Sequence, residues 1–355
     1  RRRGGTRRTR GNRMERQVND SEEPGTTTLT APFPYFGGKR LAAKSIWGAL
    51  GDVGGYVEPF CGSAAVLLAR PPFTGRRVET INDADGWLVN AWRAIQLSPA
   101  EVAAHCSGPV TEIDYHARLA WLQERRTPDL VAWLEGDPEH HDAKAAGWWL
   151  YVVACGIGDP WNAGPWRVVD GHLRKVGDAG RGVNRELPHL GDAGRGVNRE
   201  LPHLGDALAV YMHTLAGRLK RVRITCGDWG RVLKPSVTRS TAGNSITGIL
   251  LDPPYNTRAG LYATTNSTAG AEDISNQVRH WCAEHTTGDD TPRIVLCGFN
   301  DDHDELLNLG WTKVLGKAGG RGFSIDHAAH RRERMWLSPN CFVESPSLFS
   351  LGEAE

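Results

Sequence analysis

Two separated stretches of this chain alternate short apolar runs with helical segments. In the first, residues 54–60 (Gly-Gly-Tyr-Val-Glu-Pro-Phe) read as a short buried strand and its turn, 63–70 as a helix, 77–83 as a strand and 88–97 as a helix. In the second, 221–226 and 247–251 read as strands, 273–285 as a helix and 293–299 as a strand, with a helix from about Asp302 and a closing edge strand over 334–338. Strands that return in one direction need crossovers, and a helix is the usual crossover. The pattern predicts an α/β fold, with a Rossmann-like, mainly parallel sheet carrying helices on both faces.

Residues 100–215 break this rhythm. Tryptophan-bearing helical segments over 117–126, 129–134 and 143–153 precede a Gly- and Pro-rich region from Cys155 to Leu204. That region holds a perfect tandem repeat, GDAGRGVNRELPHL, over 177–190 and 191–204. One period of 14 present twice matches no solenoid and is too short to build a core. It reads either as surface loops or a hairpin, or as a DNA-contacting element. Arg181 and Arg195 lie between glycines, and Arg185 and Arg199 add donors for phosphate.

The expected organisation is a basic tail over 1–30, a split catalytic domain over 31–99 and 216–340, a mainly helical and loop target-recognition insert over 100–215, and a tail over 341–355. Charge follows this division. The first thirteen residues hold seven arginines and no acid, 101–160 hold four basic and ten acidic residues, and 165–223 hold eleven basic and six acidic residues. A polyanion would prefer the last of these stretches. The first thirteen residues read either as an arm on DNA or as sequence upstream of a product beginning at Met14, and composition favours the second. Seven scattered cysteines without a C-x-x-C pair read as free thiols, and no apolar run approaches the ~18 residues of a membrane span, so a cytoplasmic protein is expected.

The most chemical segment is Ile249-Leu-Leu-Asp252-Pro253-Pro254-Tyr255. An exocyclic amine on a nucleobase is a poor nucleophile because its lone pair is delocalised into the ring. The Asp252 carboxylate and the Pro253 carbonyl are two acceptors for its hydrogens. Paired prolines stiffen the turn and donate no N–H, and Tyr255 offers a face for a flipped base. An ordinary turn after a strand is the rival explanation. Upstream, Glu58-Pro59-Phe60-Cys61-Gly62-Ser63 reads as a tight loop feeding a helix start, without the G-x-G-x-x-G pattern of a nicotinamide site. Asp83 ends the next strand, where an acid binds ribose hydroxyls or caps a helix. Asp301-Asp302-His303-Asp304 is better explained by acids at a helix start than by a metal cluster.

Taken in order, these segments resemble the DNA adenine N6-methyltransferases of the Dam type, which use S-adenosylmethionine. The resemblance covers about residues 32–98 and 220–338. It implies that Tyr35, Gly38 and Lys39 line a cofactor pocket, that Glu58, Phe60 and Gly62 shape the loop under the methionine part, that Asp83 takes the ribose, and that Asp228 with Trp229 takes the cofactor's adenine. Asp252, Pro253, Pro254 and Tyr255 would be catalytic, with no metal. Ala64 stands where many members have a second glycine, and Trp229 replaces a phenylalanine. The implied partner is double-stranded DNA, with no membrane, and a cognate restriction endonuclease is left open. Alternatives are methylation of cytosine N4 or of an RNA adenine, and a non-catalytic nucleic-acid-binding protein on the same fold.

Overall fold

The structure, a computed structural model, describes residues 29–33, 35, 38–72, 75–108, 110–125, 129–137, 139–156, 166–169, 172–175, 204–238, 246–254, 268–286, 291–315 and 333–343, and of 166–169, 172–175, 204–206 and 268–273 the backbone alone. The strands in chain order are β1 (Gly55–Glu58), β2 (Val78–Asp83), β3 (Trp166–Val169), β4 (His172–Lys175), β5 (Val222–Cys226), β6 (Thr247–Leu251), β7 (Arg293–Phe299), β8 (Thr312–Leu315) and β9 (Glu333–Leu337). The helices are α1 (Ala43–Leu50), α2 (Ala65–Leu68), α3 (Gly86–Leu97), α4 (Pro99–Cys106), α5 (Glu112–Glu124), α6 (Asp129–Gly136), α7 (Ala143–Cys155), α8 (Leu204–Leu219), α9 (Pro235–Thr238) and α10 (Thr268–Glu284), with 3-10 turns at Trp229–Val232 and Asp304–Leu309.

Seven strands form one mixed sheet in the order β5-β2-β1-β6-β7-β9-β8. β5, β2, β1, β6 and β7 run parallel, whereas β9 is antiparallel to both neighbours. The molecule is therefore α/β, compatible with a Rossmann-like arrangement. The expectation of a closing edge strand over 334–338 is corrected: β9 lies inside the sheet, and β8 takes the edge. β8 reads Thr-Lys-Val-Leu, too short and too exposed to leave an apolar signature. The helix expected from Asp302 is the 3-10 turn over 304–309.

Strand periodicity builds two cores. Tyr56, Leu250, Val295, Cys297 and Met335 point to one face, into a core shared with α1, α3, α4, α7 and α8. Their neighbours Val57, Ile249, Leu251, Ile294, Leu296 and Trp336 point to the other, against α10. A strand buried on both faces reads as an unbroken apolar run, as β6 does. Much of the helical part of 100–215 joins the first core: Val102, Cys106, Leu122 and Trp149 belong to it. The helices start where side chains satisfy their free N–H groups. Asp85 accepts from Trp87 N–H, Thr111 from Asp114 N–H and Asp142 from Ala145 N–H. β3 and β4 pair as a separate antiparallel ribbon just before the tandem repeat. The repeat lies outside the described residues except for Leu204, which begins α8. No helix among the described residues is long and apolar enough to cross a membrane.

Candidate active site

β1 lies between β2 and β6, and the chain order reverses there. In an open parallel sheet the loops leave such a point in opposite directions and leave a crevice at the carboxyl ends of the strands. A cavity of about 310 Å³ lies there. Its walls come from the segment before α1 (Tyr35, Gly38, Lys39), the loop after β1 (Glu58 to Ser63), the end of β2 (Asp83), the turn after β5 (Asp228, Trp229) and the end of β6 (Asp252, Pro254). All nine residues expected to line a cofactor pocket meet in this cavity, together with Asp252. Pro253 is buried beside them. Tyr255 lies outside the described residues, as do Arg181, Arg185, Arg195 and Arg199.

The loop after β1 is shaped by its backbone. Gly62 has φ +46, and a Cβ there would stand 2.4 Å from the Tyr35 ring. Its N–H donates to Asp83 Oδ2 (3.0 Å) and its carbonyl accepts from Trp92 Nε1 (2.9 Å). Ala64 is also left-handed, with φ 47 and ψ 30, a conformation that favours glycine. The helix expected over 63–70 is consequently shorter, beginning at Ala65 without a side-chain cap.

Asp83 has a use that neither sequence alternative anticipates. Its Oδ1 accepts from Asp85 N–H and its Oδ2 from Gly62 N–H, so it ties the β1 loop to the start of α3 while the cap of α3 is Asp85. A carboxylate has about four lone-pair sites, which leaves capacity for ligand hydroxyls. Asn82 escaped the sequence reading. It is buried and donates to the carbonyls of Pro59 (3.1 Å) and Gly227 (3.0 Å), while its Oδ1 accepts from Thr225 Oγ1 (2.9 Å). One amide thus fixes the turns after β1 and β5. β2 reads Val-Glu-Thr-Ile-Asn-Asp, so one more polar residue in it carried no distinguishing signal. Ile274 and Gln277, three apart on α10, complete the lining and carry no local signal.

Lys39 Nζ lies 2.8 Å from Asp252 Oδ2, in a pair whose side chains are 9% and 19% exposed. Burial pulls the ammonium down, but the adjacent Asp252 outweighs this and raises Lys39 above its ordinary value. Glu58 is pushed up to about 8 by burial and by the nearby Asp252 and Asp83, against the hydrogen bond from Tyr56 Oη (3.0 Å). Burial also lifts Asp83 to about 6, against the backbone hydrogen bonds it accepts. Asp228 is exposed at the mouth and caps the 3-10 turn through Gly230 N–H (2.8 Å), and Trp229 stacks with Phe60 at 6.0 Å and 27°.

The cavity therefore holds four acids, Glu58, Asp83, Asp228 and Asp252, against one lysine. With Glu58 raised to about 8 and Asp252 paired with Lys39, the walls are polar and modestly acidic, which suits a ligand with hydroxyls and positive charge. Among the described residues, no group of three His, Cys, Asp or Glu side chains is placed to hold a metal ion. Asp302 instead accepts from Phe299 N–H, and Asp304 pairs with Lys313 and Trp336 Nε1. Neither protein-family models nor curated proteins provide a match for this chain.

Proposed function

We propose that the chain is a site-specific DNA methyltransferase that transfers a methyl group from S-adenosylmethionine to the N6 amine of a flipped adenine. The observation that carries this is the opening of Asp252, at the head of Asp-Pro-Pro-Tyr, into the same acid-rich cavity as the Gly62 loop, Asp83 and Asp228. The sheet order around β1 and the left-handed Ala64 also support it. The residues fit the cofactor. Gly62 leaves room that a Cβ would fill, the volume is near the ~300 Å³ lower end of ligand pockets, and Asp83, Asp228 and Asp252 outnumber the single lysine opposite a molecule whose charges sum to positive. When bound, S-adenosylmethionine supplies an electrophilic methyl group on a cationic sulfur.

Each residue then has a task. Asp83 offers its remaining lone pairs to the ribose, and the Phe60–Trp229 pair provides an aromatic wall for the adenine moiety. Asp252 and the Pro253 carbonyl accept the hydrogens of the target amine, which localises the nitrogen lone pair toward the methyl group. Lys39 holds the Asp252 carboxylate in orientation through their ion pair, so the acceptor needs no reorganisation when the base arrives. The amine proton leaves to solvent after transfer. Most of the acceleration would come from positioning.

The test is tritium transfer from labelled S-adenosylmethionine to unmethylated duplex DNA, with calorimetric titration of the cofactor alongside. Asp252→Ala is expected to lower transfer by about two to three orders of magnitude, the scale for loss of one preorganised hydrogen-bonding group at a reacting centre, and to keep cofactor affinity within about threefold. Near-normal turnover in that variant overturns the assignment. Transfer to RNA or to cytosine, but not to adenine in DNA, selects the neighbouring methyl-transfer chemistries. Cofactor binding without transfer to any nucleic acid selects a binding protein.

A further inference from the structure

A second cavity, of about 340 Å³, opens at the opposite end of the two strands that frame the first. Strand periodicity explains its lining. Arg221 and Arg223 are two apart and leave the same face of the β5 segment, and Thr80 sits opposite Arg223 in the ladder, with Val78 on the same face of β2. Val222 and Ile224 take the other face and enter the core. Arg76 and Arg77 approach from the segment before β2, and Ser236 and Val237 of α9 form the facing wall.

Four arginines, Arg76, Arg77, Arg221 and Arg223, line this cleft with one carboxylate, Glu79. Glu79 is already engaged. It accepts from Arg70 Nη1 at 2.9 Å and from Arg218 at 2.7 and 2.9 Å, while Arg77 stays 4.0 Å away. Arg77 Nε is buried with no hydrogen-bond partner. Arg76, Arg221 and Arg223 are exposed, as is the adjoining Lys220. Like charges on one strand face cost stability, and low-dielectric walls focus their field into the cleft. A guanidinium's planar fork matches phosphate oxygens.

We propose that this cleft anchors the phosphodiester backbone of double-stranded DNA, as a site separate from the methyl-transfer cavity. This rests on the proposed action on DNA. The lining has no aromatic platform for a base, so the contact is independent of sequence. Arg223 precedes Gly227 by four residues, which places the cleft roughly 13 Å along β5 from the cavity rim. Asp252 lies three strands across from β5, so the cleft is roughly 20 Å from the base-binding end. That is about six steps of a duplex at ~3.4 Å each, and a duplex at the cavity has backbone within reach of the arginines.

The test is fluorescence anisotropy of a labelled, unmethylated duplex across a series of salt concentrations, comparing the full chain with Arg221→Gln/Arg223→Gln. The slope of log affinity against log salt is expected to fall by roughly two, at about 0.9 per phosphate contact, with cofactor affinity unchanged. Relief of like-charge repulsion should leave thermal unfolding of the variant equal or higher. If the variant unfolds earlier, Arg76→Gln carries the test, with an expected fall of about one. An unchanged slope overturns the proposal. So does binding of inorganic phosphate that Arg221→Gln/Arg223→Gln abolishes while leaving the DNA slope intact, because the ligand is then a small anion. A wild-type chain that binds S-adenosylmethionine but no DNA overturns the anchor and leaves the cofactor assignment standing. Binding neither removes both.

Discussion

Gly62→Ala probes the loop on which the candidate site depends. The residue sits at φ +46, where an L side chain is disfavoured by about 1–2 kcal/mol. The new Cβ would lie 2.4 Å from Tyr35 Cε1 and 2.9 Å from Cδ1, so the ring or the loop must move by roughly an ångström. Overpacking of this kind costs about 1–3 kcal/mol. The smaller entropy of the unfolded alanine chain returns about 0.4–1 kcal/mol. The net loss is about 3 kcal/mol. At roughly 2 °C per kcal/mol for a large domain, the unfolding midpoint should drop by about 6 °C. Cofactor affinity should fall as well, because Gly62 N–H holds Asp83 in place. Ala64→Gly is the control two residues on. It relieves a left-handed alanine at φ 47 but loses a buried methyl and gains unfolded-state entropy, so it should stay within about 1 kcal/mol of wild type. Thermal unfolding with calorimetric titration of S-adenosylmethionine measures all of this. A Gly62→Ala protein matching wild type in both would show that the loop geometry is wrong.

Three further perturbations test other parts of the site. Lys39→Met leaves Asp252 without its ion partner and should cost on the order of 3 kcal/mol, toward the low end for a buried pair because Asp252 keeps 19% exposure. Adding Asp252→Asn should recover much of that loss, and additive effects in the double variant would count against the pairing. Asn82→Ala strands the carbonyls of Pro59 and Gly227 and should lower stability by about 2–4 kcal/mol. It should weaken cofactor binding too, whereas an unchanged affinity would separate Asn82 from the site. Glu58 is raised from 4.5 to about 8, so its folded form holds a proton more tightly than the unfolded chain. Its contribution to stability is fully present below 4.5 and is lost as pH rises through about 8. Glu58→Gln cannot ionise, so its unfolding free energy relative to wild type should climb between these limits. A difference that stays flat with pH would remove the burial effect.

What could be read from the sequence was local. The central strands β6 and β7 announce themselves as apolar runs because they are buried on both faces, whereas β1, β2 and the edge strand β5 mix polar and apolar residues and are marked by their turns. The pocket residues could be found because a glycine at a turn, a carboxylate at a strand end and a proline pair are features of contiguous residues. β8 was missed and β9 misplaced because edge position depends on pairing, which leaves no trace in a four- or five-residue segment. The Lys39–Asp252 contact joins residues from opposite halves of the chain. The arginine cleft is equally non-local: each arginine reads singly as a solvated surface residue, and only the β2–β5 ladder brings 76–77 to 221–223.

The position of β1 between β2 and β6 has a consequence during synthesis. β2 follows β1 closely in the chain, but β6 begins about 190 residues after β1 ends. At translation speeds of about 5–20 residues per second, one edge of β1 waits on the order of 10–40 s for its partner. Through that interval Lys39 also lacks the carboxylate that accompanies it in the folded chain. A ribosome-bound chain halted before residue 247 should therefore recruit chaperones, and the need should end only once β6, β7 and β9 are available to complete the sheet.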